Sequence, residues 1–335
     1  MKKLEQMLLF TFLVIILWVG SIQLSSAQQG LTNGIPDGYV LIEGDILVPK
    51  DFLQSDGIGT QSAFGDTTFW PSGVVPFVFD ANVSAVNQTR MLNAMTQWET
   101  VANIDFRPRI AADQFWVHIQ NSTENSSSVG RQPLANQPQI MNIVSWDNQW
   151  IMDHELAHAL GFWHEQSRPD RDNYVQITSA NIQPGQEHNF NIRAAADVYP
   201  LQAYGLPDDQ TYDFDSVMHY GQFAFSSNGQ PTITVPTPNQ SWQTLIGQRN
   251  HLSRLDQLTM SFLYPQSGWR FVDRTYTGLF QFGTFRIPYK NFGTGYNSVP
   301  GGSTLWIQPG SYSAVAIYSK PMTLRAPLGN VILGP

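Results

Sequence analysis

Three histidines and two glutamates fall within the run His154-Glu155-Leu156-Ala157-His158-Ala159-Leu160-Gly161-Phe162-Trp163-His164-Glu165, which constrains this chain more than any other stretch. Residues four apart on a helix project from one face, a turn above one another, so His154 and His158 form a pair of imidazoles. Gly161 can take the left-handed conformation that ends a helix. The chain can then turn back and bring His164 to the same point. Three imidazoles meeting there are a ligand set for one zinc ion, with Glu155 placed to act on water rather than to fill the coordination shell. The alternative is an amphipathic helix whose histidines lie on its polar face. That reading must explain why three of the seven histidines in the chain sit so close together.

The first residues read as a targeting signal. Lys2 and Lys3 precede an apolar run from Met7 to Gly20, then Ser25-Ser26-Ala27. This is the order of a secretory signal peptide over residues 1–27, cleaved after Ala27. The run is short for a membrane span, which needs about 20 apolar residues, so no stable membrane anchor is expected after cleavage. The destination is outside the cell or in a periplasm. The chain has no cysteine, so neither a disulfide nor a thiolate ligand is available. Stability must come from the core and from metal. For an exported protein this points to a bacterial origin; the five Asn-x-Ser/Thr sequons matter only in a eukaryotic secretory route.

At 335 residues, 42% of them apolar, there is material for one large domain or two. The net charge of −8 is uneven. From Gly268 onwards six basic residues face one acid, a balance of +5, which leaves −13 for the rest. Such asymmetry suggests separate modules. The basic residues are scattered, which gives no case for nucleic acid. A C-terminal module of this charge is compatible with attachment to a polyanionic surface.

Residues 28–60 show little periodicity and read as an extended segment. Val74–Phe79, Ile104–Phe106, Phe115–Gln120 and Ile140–Val144 are predicted strands. Ser84 is placed to cap a helix with Met91, Met95 and Trp98 on one face. Asn121–Ser128 reads as a polar loop, and the histidine helix spans about Gln149 to Leu160. Ser253-Arg254-Leu255-Asp256 has the form of a capping box opening a helix that ends near Tyr264-Pro265. Beyond Gly268 short β-like runs, such as Thr304–Ile307, Ala314–Tyr318 and Met322–Leu324, suggest a small β-solenoid-like or sandwich-like module.

The long histidine motif followed by Glu165 does not stand alone. With Arg168-Pro169-Asp170-Arg171-Asp172-Asn173-Tyr174-Val175 and Ser216-Val217-Met218-His219-Tyr220, it resembles the astacin family of metzincin endopeptidases. Trp70-Pro71-Ser72-Gly73-Val74-Val75-Pro76-Phe77 and Ile246-Gly247-Gln248-Arg249 add to the likeness, which covers about residues 61 to 267. The resemblance implies an α+β fold: a zincin-like catalytic domain with a twisted mixed sheet and a zinc helix. The organisation is then a signal peptide (1–27), a pro-segment (28–60), a catalytic domain (61–267) and a β-rich C-terminal module (268–335).

The resemblance also implies roles. One catalytic Zn2+ is held by His154, His158 and His164. Glu155 is the general base in hydrolysis of peptide bonds in proteins or peptides. Tyr220 is a movable ligand that stabilises the tetrahedral intermediate. Met218 lies beneath the metal without binding it, and His219 is not a ligand. Glu165 pairs with the mature amino terminus, near Gln61 by alignment. Ile42-Glu43-Gly44-Asp45-Ile46 resembles a pro-segment motif whose aspartate blocks the metal, which makes Asp45 a latency switch; Phe stands in the family where this chain has Ile42. Arg249 is a candidate for favouring acidic residues after the scissile bond. Four cysteines of the family are absent; Asn103, Asn125, Trp146 and Gly268 stand at the aligned positions.

Overall fold

The computed structural model describes residues 31–32, 35–50, 69–132, 135–193, 212–285, 287–314, 317–326 and 329–334. The expected signal peptide and the expected mature start near Gln61 lie outside the described residues.

A mixed sheet of seven strands forms the frame. In chain order these are β1 (Tyr39–Ile42), β2 (Ile46–Pro49), β3 (Val74–Phe79), β4 (Asp105–Pro108), β5 (Phe115–Asn121), β6 (Ser126–Ser127) and β7 (Gln137–Ile143). Their spatial order is β1-β2-β6-β7-β5-β3-β4. The middle is parallel, with β5 and β7 paired from Phe115 opposite Gln137 to Asn121 opposite Ile143. The β1–β2 and β6–β7 pairs are antiparallel. Val75, Val117, Ile119, Met141 and Ile143 are buried in the main core.

Two expectations need correction here. The segment around residues 39–49 is a regular hairpin rather than a featureless extension, with Ile42 opposite Ile46 and Tyr39 opposite Pro49. Its apolar residues Ile42, Ile46 and Val48 pack with Val129. Those partners are remote in sequence, so local periodicity does not reveal them. The polar stretch 121–128 contains β6, whose serines are buried because their backbone pairs with both β2 and β7.

The three helices before Gly268 follow the sequence pattern. In α1 (Ala85–Val101) the Ser84 hydroxyl accepts the Asn87 N–H at 3.3 Å, and Met91, Met95 and Trp98 are buried. Trp98 Nε1 donates to the Asp153 carbonyl at 3.0 Å and pins α1 to α2 (Gln149–Leu160). Loss of that indole would cost about 3–5 kcal/mol. Every residue of α2 from Met152 to Leu160 is buried, so this helix is a core element and its polar residues need internal partners. Its last turn is fastened by Trp70 Nε1 to the Ala159 carbonyl and by the Tyr264 hydroxyl to the Leu160 carbonyl, both at 2.8 Å. The predicted capping box opens α3 (Arg254–Leu263): Ser253 Oγ accepts the Asp256 N–H at 2.8 Å and Asp256 Oδ2 accepts the Ser253 N–H at 3.0 Å.

Two of the positions at which the resemblance implies cysteine make hydrogen bonds instead. Asn125 Oδ1 accepts the N–H groups of Val144 and Ser145 at 2.9 and 3.0 Å, beside Trp146. The Asn103 N–H donates to the Tyr264 carbonyl at 2.9 Å, a few residues before Gly268.

After Gly268 come β8 (Arg270–Val272), α4 (Phe292–Ser298), β9 (Thr304–Ile307), β10 (Gly310–Ser313), β11 (Thr323–Arg325) and β12 (Val331–Gly334). β8, β9 and β11 pair in parallel, as do β10 and β12. Of the two expected arrangements the parallel pairing is the solenoid-like one, and α4 stands where strands alone were expected, which corrects the all-β reading. Of the expected strand over Ala314–Tyr318, residues 315 and 316 lie outside the described residues and the other three are not in a strand; β10, with Tyr312 buried, ends just before it. Phe262 of α3 packs with Phe271, Phe285 and Trp306, which seats these strands on α3. No described helix is long and apolar enough to cross a membrane.

Candidate metal centre

His154 and His158 project from adjacent turns of α2, with ring centroids 4.7 Å apart. The helix stops at Gly161, whose φ of 120° is open to glycine and whose N–H is shared between the Ala157 and His158 carbonyls. The reversal brings the His164 ring to 4.8 Å from His158 and 5.2 Å from His154.

Each imidazole is oriented from behind. Nδ1 of His154 donates to the Val217 carbonyl at 2.7 Å, Nδ1 of His158 to the Phe162 carbonyl at 2.8 Å, and Nδ1 of His164 to Glu43 Oε2 at 2.8 Å. Oxygen acceptors at all three Nδ1 atoms put the protons there and leave bare Nε2 lone pairs facing each other. His154 Nε2 lies 3.2 Å from His158 Nε2 and 3.3 Å from His164 Nε2. Zinc–nitrogen bonds of 2.0–2.1 Å in a tetrahedron set ligands about 3.3 Å apart, so the spacing fits that ion.

Asp45 completes the group. Its carboxylate is 3.1 Å from His154 Nε2, 3.1 Å from His164 Nε2 and 3.6 Å from His158 Nε2, and the four residues offer ligand atoms within 4.8 Å of one another. Four acceptors in contact repel unless a cation or a proton lies between them. A proton is the weaker answer. Burial opposes it at His164, although the Asp45 and Glu43 charges outweigh burial and hold that ring up at about 9. At His154 burial, aided by the Arg249 charge, pulls the ring down to about 3. One proton therefore relieves one contact, while one metal ion relieves them all.

The remaining expected residues lie around this group. Glu155 is buried, and its Oε2 has no hydrogen-bond partner. Burial, then the Asp45 charge, pushes it well above the usual carboxylate range, against the pull of Arg249. The Tyr220 ring centroid is 4.7 Å from that of His164, and its hydroxyl donates to the Glu43 carbonyl. Met218 is buried in the main core. His219 turns away, with Nε2 on the Tyr212 hydroxyl and Nδ1 on the Tyr220 carbonyl. Arg249 is partly buried and donates to the His219 and Gln248 carbonyls at 3.1 and 2.9 Å. Glu165 accepts from Arg168 at 2.7 Å and from the Asp213 N–H at 2.8 Å.

Sequence reasoning missed several contributors. Glu43, although inside the quoted motif, received no role. Ser167 and Arg193, which both bind Glu43, carried no signal at all. Asp256, noted only as a capping residue, also accepts the Ser216 hydroxyl at 2.6 Å and the Val217 N–H at 2.9 Å.

Comparison with known proteins matches this arrangement. The family model for the astacin peptidases matches residues 63–265. Zinc metalloproteinase nas-14 of Caenorhabditis elegans is 36% identical over 261 residues, 73% of this chain and 48% of the relative. Zinc metalloproteinase nas-39 of the same organism is 34% identical over 223 residues, 66% of this chain and 23% of the relative. The chain thus spans about half or less of the length of these curated relatives. Among solved structures, the hatching enzyme zinc-protease HCE-1 of Oryzias latipes aligns with a TM-score of 0.50 and 32% identity, over 62% of this chain and 96% of that one. These matches do not bear out the bacterial origin expected from the missing cysteines. With the matching domain, the zinc-spaced histidines and the mixed sheet agreeing, the chain belongs to the astacin family of zinc metallopeptidases.

Proposed function

We propose that this chain is a secreted zinc endopeptidase, made as a zymogen in which Asp45 occupies the position needed for catalysis. The observation that carries the reading is the Asp45 carboxylate among three convergent Nε2 atoms. Its substrates are proteins or peptides. The basic balance after Gly268 supports a role for that region in attachment to polyanionic surfaces.

His154, His158 and His164 hold the metal, which when bound supplies Lewis acidity and acidifies a water. Glu155 takes the proton from the attacking water and passes it to the leaving amine. Tyr220 donates its hydroxyl to the oxygen that becomes negative. In this structure the same hydroxyl serves a peptide carbonyl, that of Glu43, so its reach is to an acceptor of the right kind. Arg249 supplies positive charge beside His154, which supports a preference for acidic substrate residues. Glu165 holds the new amino terminus once the segment before the core is cut.

Casein digestion by the zinc-loaded protein tests this directly. Uncut protein is expected to be silent, Asp45→Ala active without processing, and a chelator is expected to abolish both this activity and that of processed protein. Activity of uncut wild type equal to that of Asp45→Ala would remove the block from the scheme.

A further inference from the structure

The turn that carries Asp45 also grips the far side of His164. Glu43 is fully buried. Its Oε2 accepts His164 Nδ1–H at 2.8 Å and the Ser167 hydroxyl at 3.1 Å, and its Oε1 accepts from the Arg193 guanidinium. That guanidinium lies 4.3 Å over the Trp163 ring. Two successive residues with positive φ, Glu43 at 47° and Gly44 at 76°, curl the backbone so that Glu43 and Asp45 straddle one imidazole. A glutamate held at positive φ is uncommon and persists only where its surroundings fix it.

The three ligand histidines therefore differ in a way their spacing hides. His154 and His158 give their Nδ1 protons to carbonyls of Val217 and Phe162, which belong to the folded core. His164 gives its proton to a carboxylate on the upstream hairpin. A carboxylate behind a ligand imidazole fixes its tautomer and raises the basicity of the nitrogen facing the metal. This support leaves with the hairpin; the other two stay.

We infer that Glu43 is a positioning residue for zinc, lent to the site by the upstream segment. While the hairpin is docked it strengthens the His164 bond to the metal, and removal of the hairpin weakens that bond as the cleft opens. Arg193, ion-paired with the buried carboxylate, holds it in place behind the ring. This rests on the reading of the cluster as a zinc site covered by Asp45.

The test is the zinc affinity of the uncut full chain, measured by competition with a chromophoric chelator. Glu43→Ala is expected to weaken zinc by about 10- to 100-fold, both alone and in the Asp45→Ala background. Glu43→Gln, which keeps an acceptor for Nδ1 without the charge, is expected to fall between; it serves also if Glu43→Ala fails to fold. Unchanged affinity in Glu43→Gln and Glu43→Ala overturns the inference. So does an effect that vanishes in the Asp45→Ala background, since Glu43 would then act only by docking Asp45. Failure of the zymogen reading shows separately, as Asp45→Ala protein that stays inactive until cut.

Discussion

Asp256 supports His154 through one intervening residue. The Val217 N–H donates to Asp256 Oδ2 at 2.9 Å, and the Val217 carbonyl accepts His154 Nδ1–H at 2.7 Å. The same carboxylate caps α3 and takes the Ser216 hydroxyl, so the turn bearing Met218 is anchored to a helix N-terminus. Asp256→Ala would leave three buried donors without a partner. The expected loss is about 3–5 kcal/mol of stability, with weaker zinc binding. Urea unfolding and chelator competition on one preparation measure both effects.

Glu155 Oε2 has no hydrogen-bond partner, so its removal breaks no bond at that atom. Glu155→Ala is expected to retain one zinc per chain and lose about 10²–10⁴-fold in turnover. Metal analysis beside a peptide cleavage assay checks it, and near-normal turnover would sink the proposed base.

Tyr220→Phe keeps the ring packed against His164, Phe190 and Phe225 and removes one donor. In processed protein kcat is expected to fall about 10²–10³-fold with KM little changed. An effect confined to KM would move Tyr220 from chemistry to binding.

Gly44 sits at the hairpin tip with φ of 76°, and a Cβ there would come within 2.6 Å of the Phe225 ring. Gly44→Ala is expected to lift the tip from the cleft. Limited proteolysis should then cut residues 39–49 faster in the variant, while the processed enzymes behave alike.

Asp153 precedes His154 inside α2, and burial pushes its carboxyl up to about 8, with Gln149 pulling weakly the other way. The folded state therefore holds this proton more tightly than the unfolded state, whose value is near 3.8. Its contribution is fully present at acid pH and is lost as pH rises towards and through about 8, at up to about 1.4 kcal/mol per pH unit. Asp153→Asn should flatten that slope and melt higher than wild type at about pH 9.

What could be read from the sequence was local. The two helical histidines, the glycine stop, the third histidine and both helix caps depend on neighbours a turn or two away. The metal site was legible for the same reason, since its ligands lie on one helix and the loop after it. Glu43 was not, because its meaning comes from Arg193 and Ser167, far along the chain. Nor was the hairpin, whose apolar residues are explained by Val129 rather than by each other.

The hairpin is joined to the frame edge-on. β2 pairs in parallel with β6 at Ile46 and Ser127, and the Ser127 N–H donates to the Asp45 carbonyl at 2.9 Å. Release of this segment would therefore strip two strands from the sheet and expose the backbone of β6 beside the metal ligands. An exposed strand edge is a template for another extended chain. On the proposed activation scheme the edge of β6 would thus pass from one extended strand to another, from the protein's own hairpin to the substrate peptide.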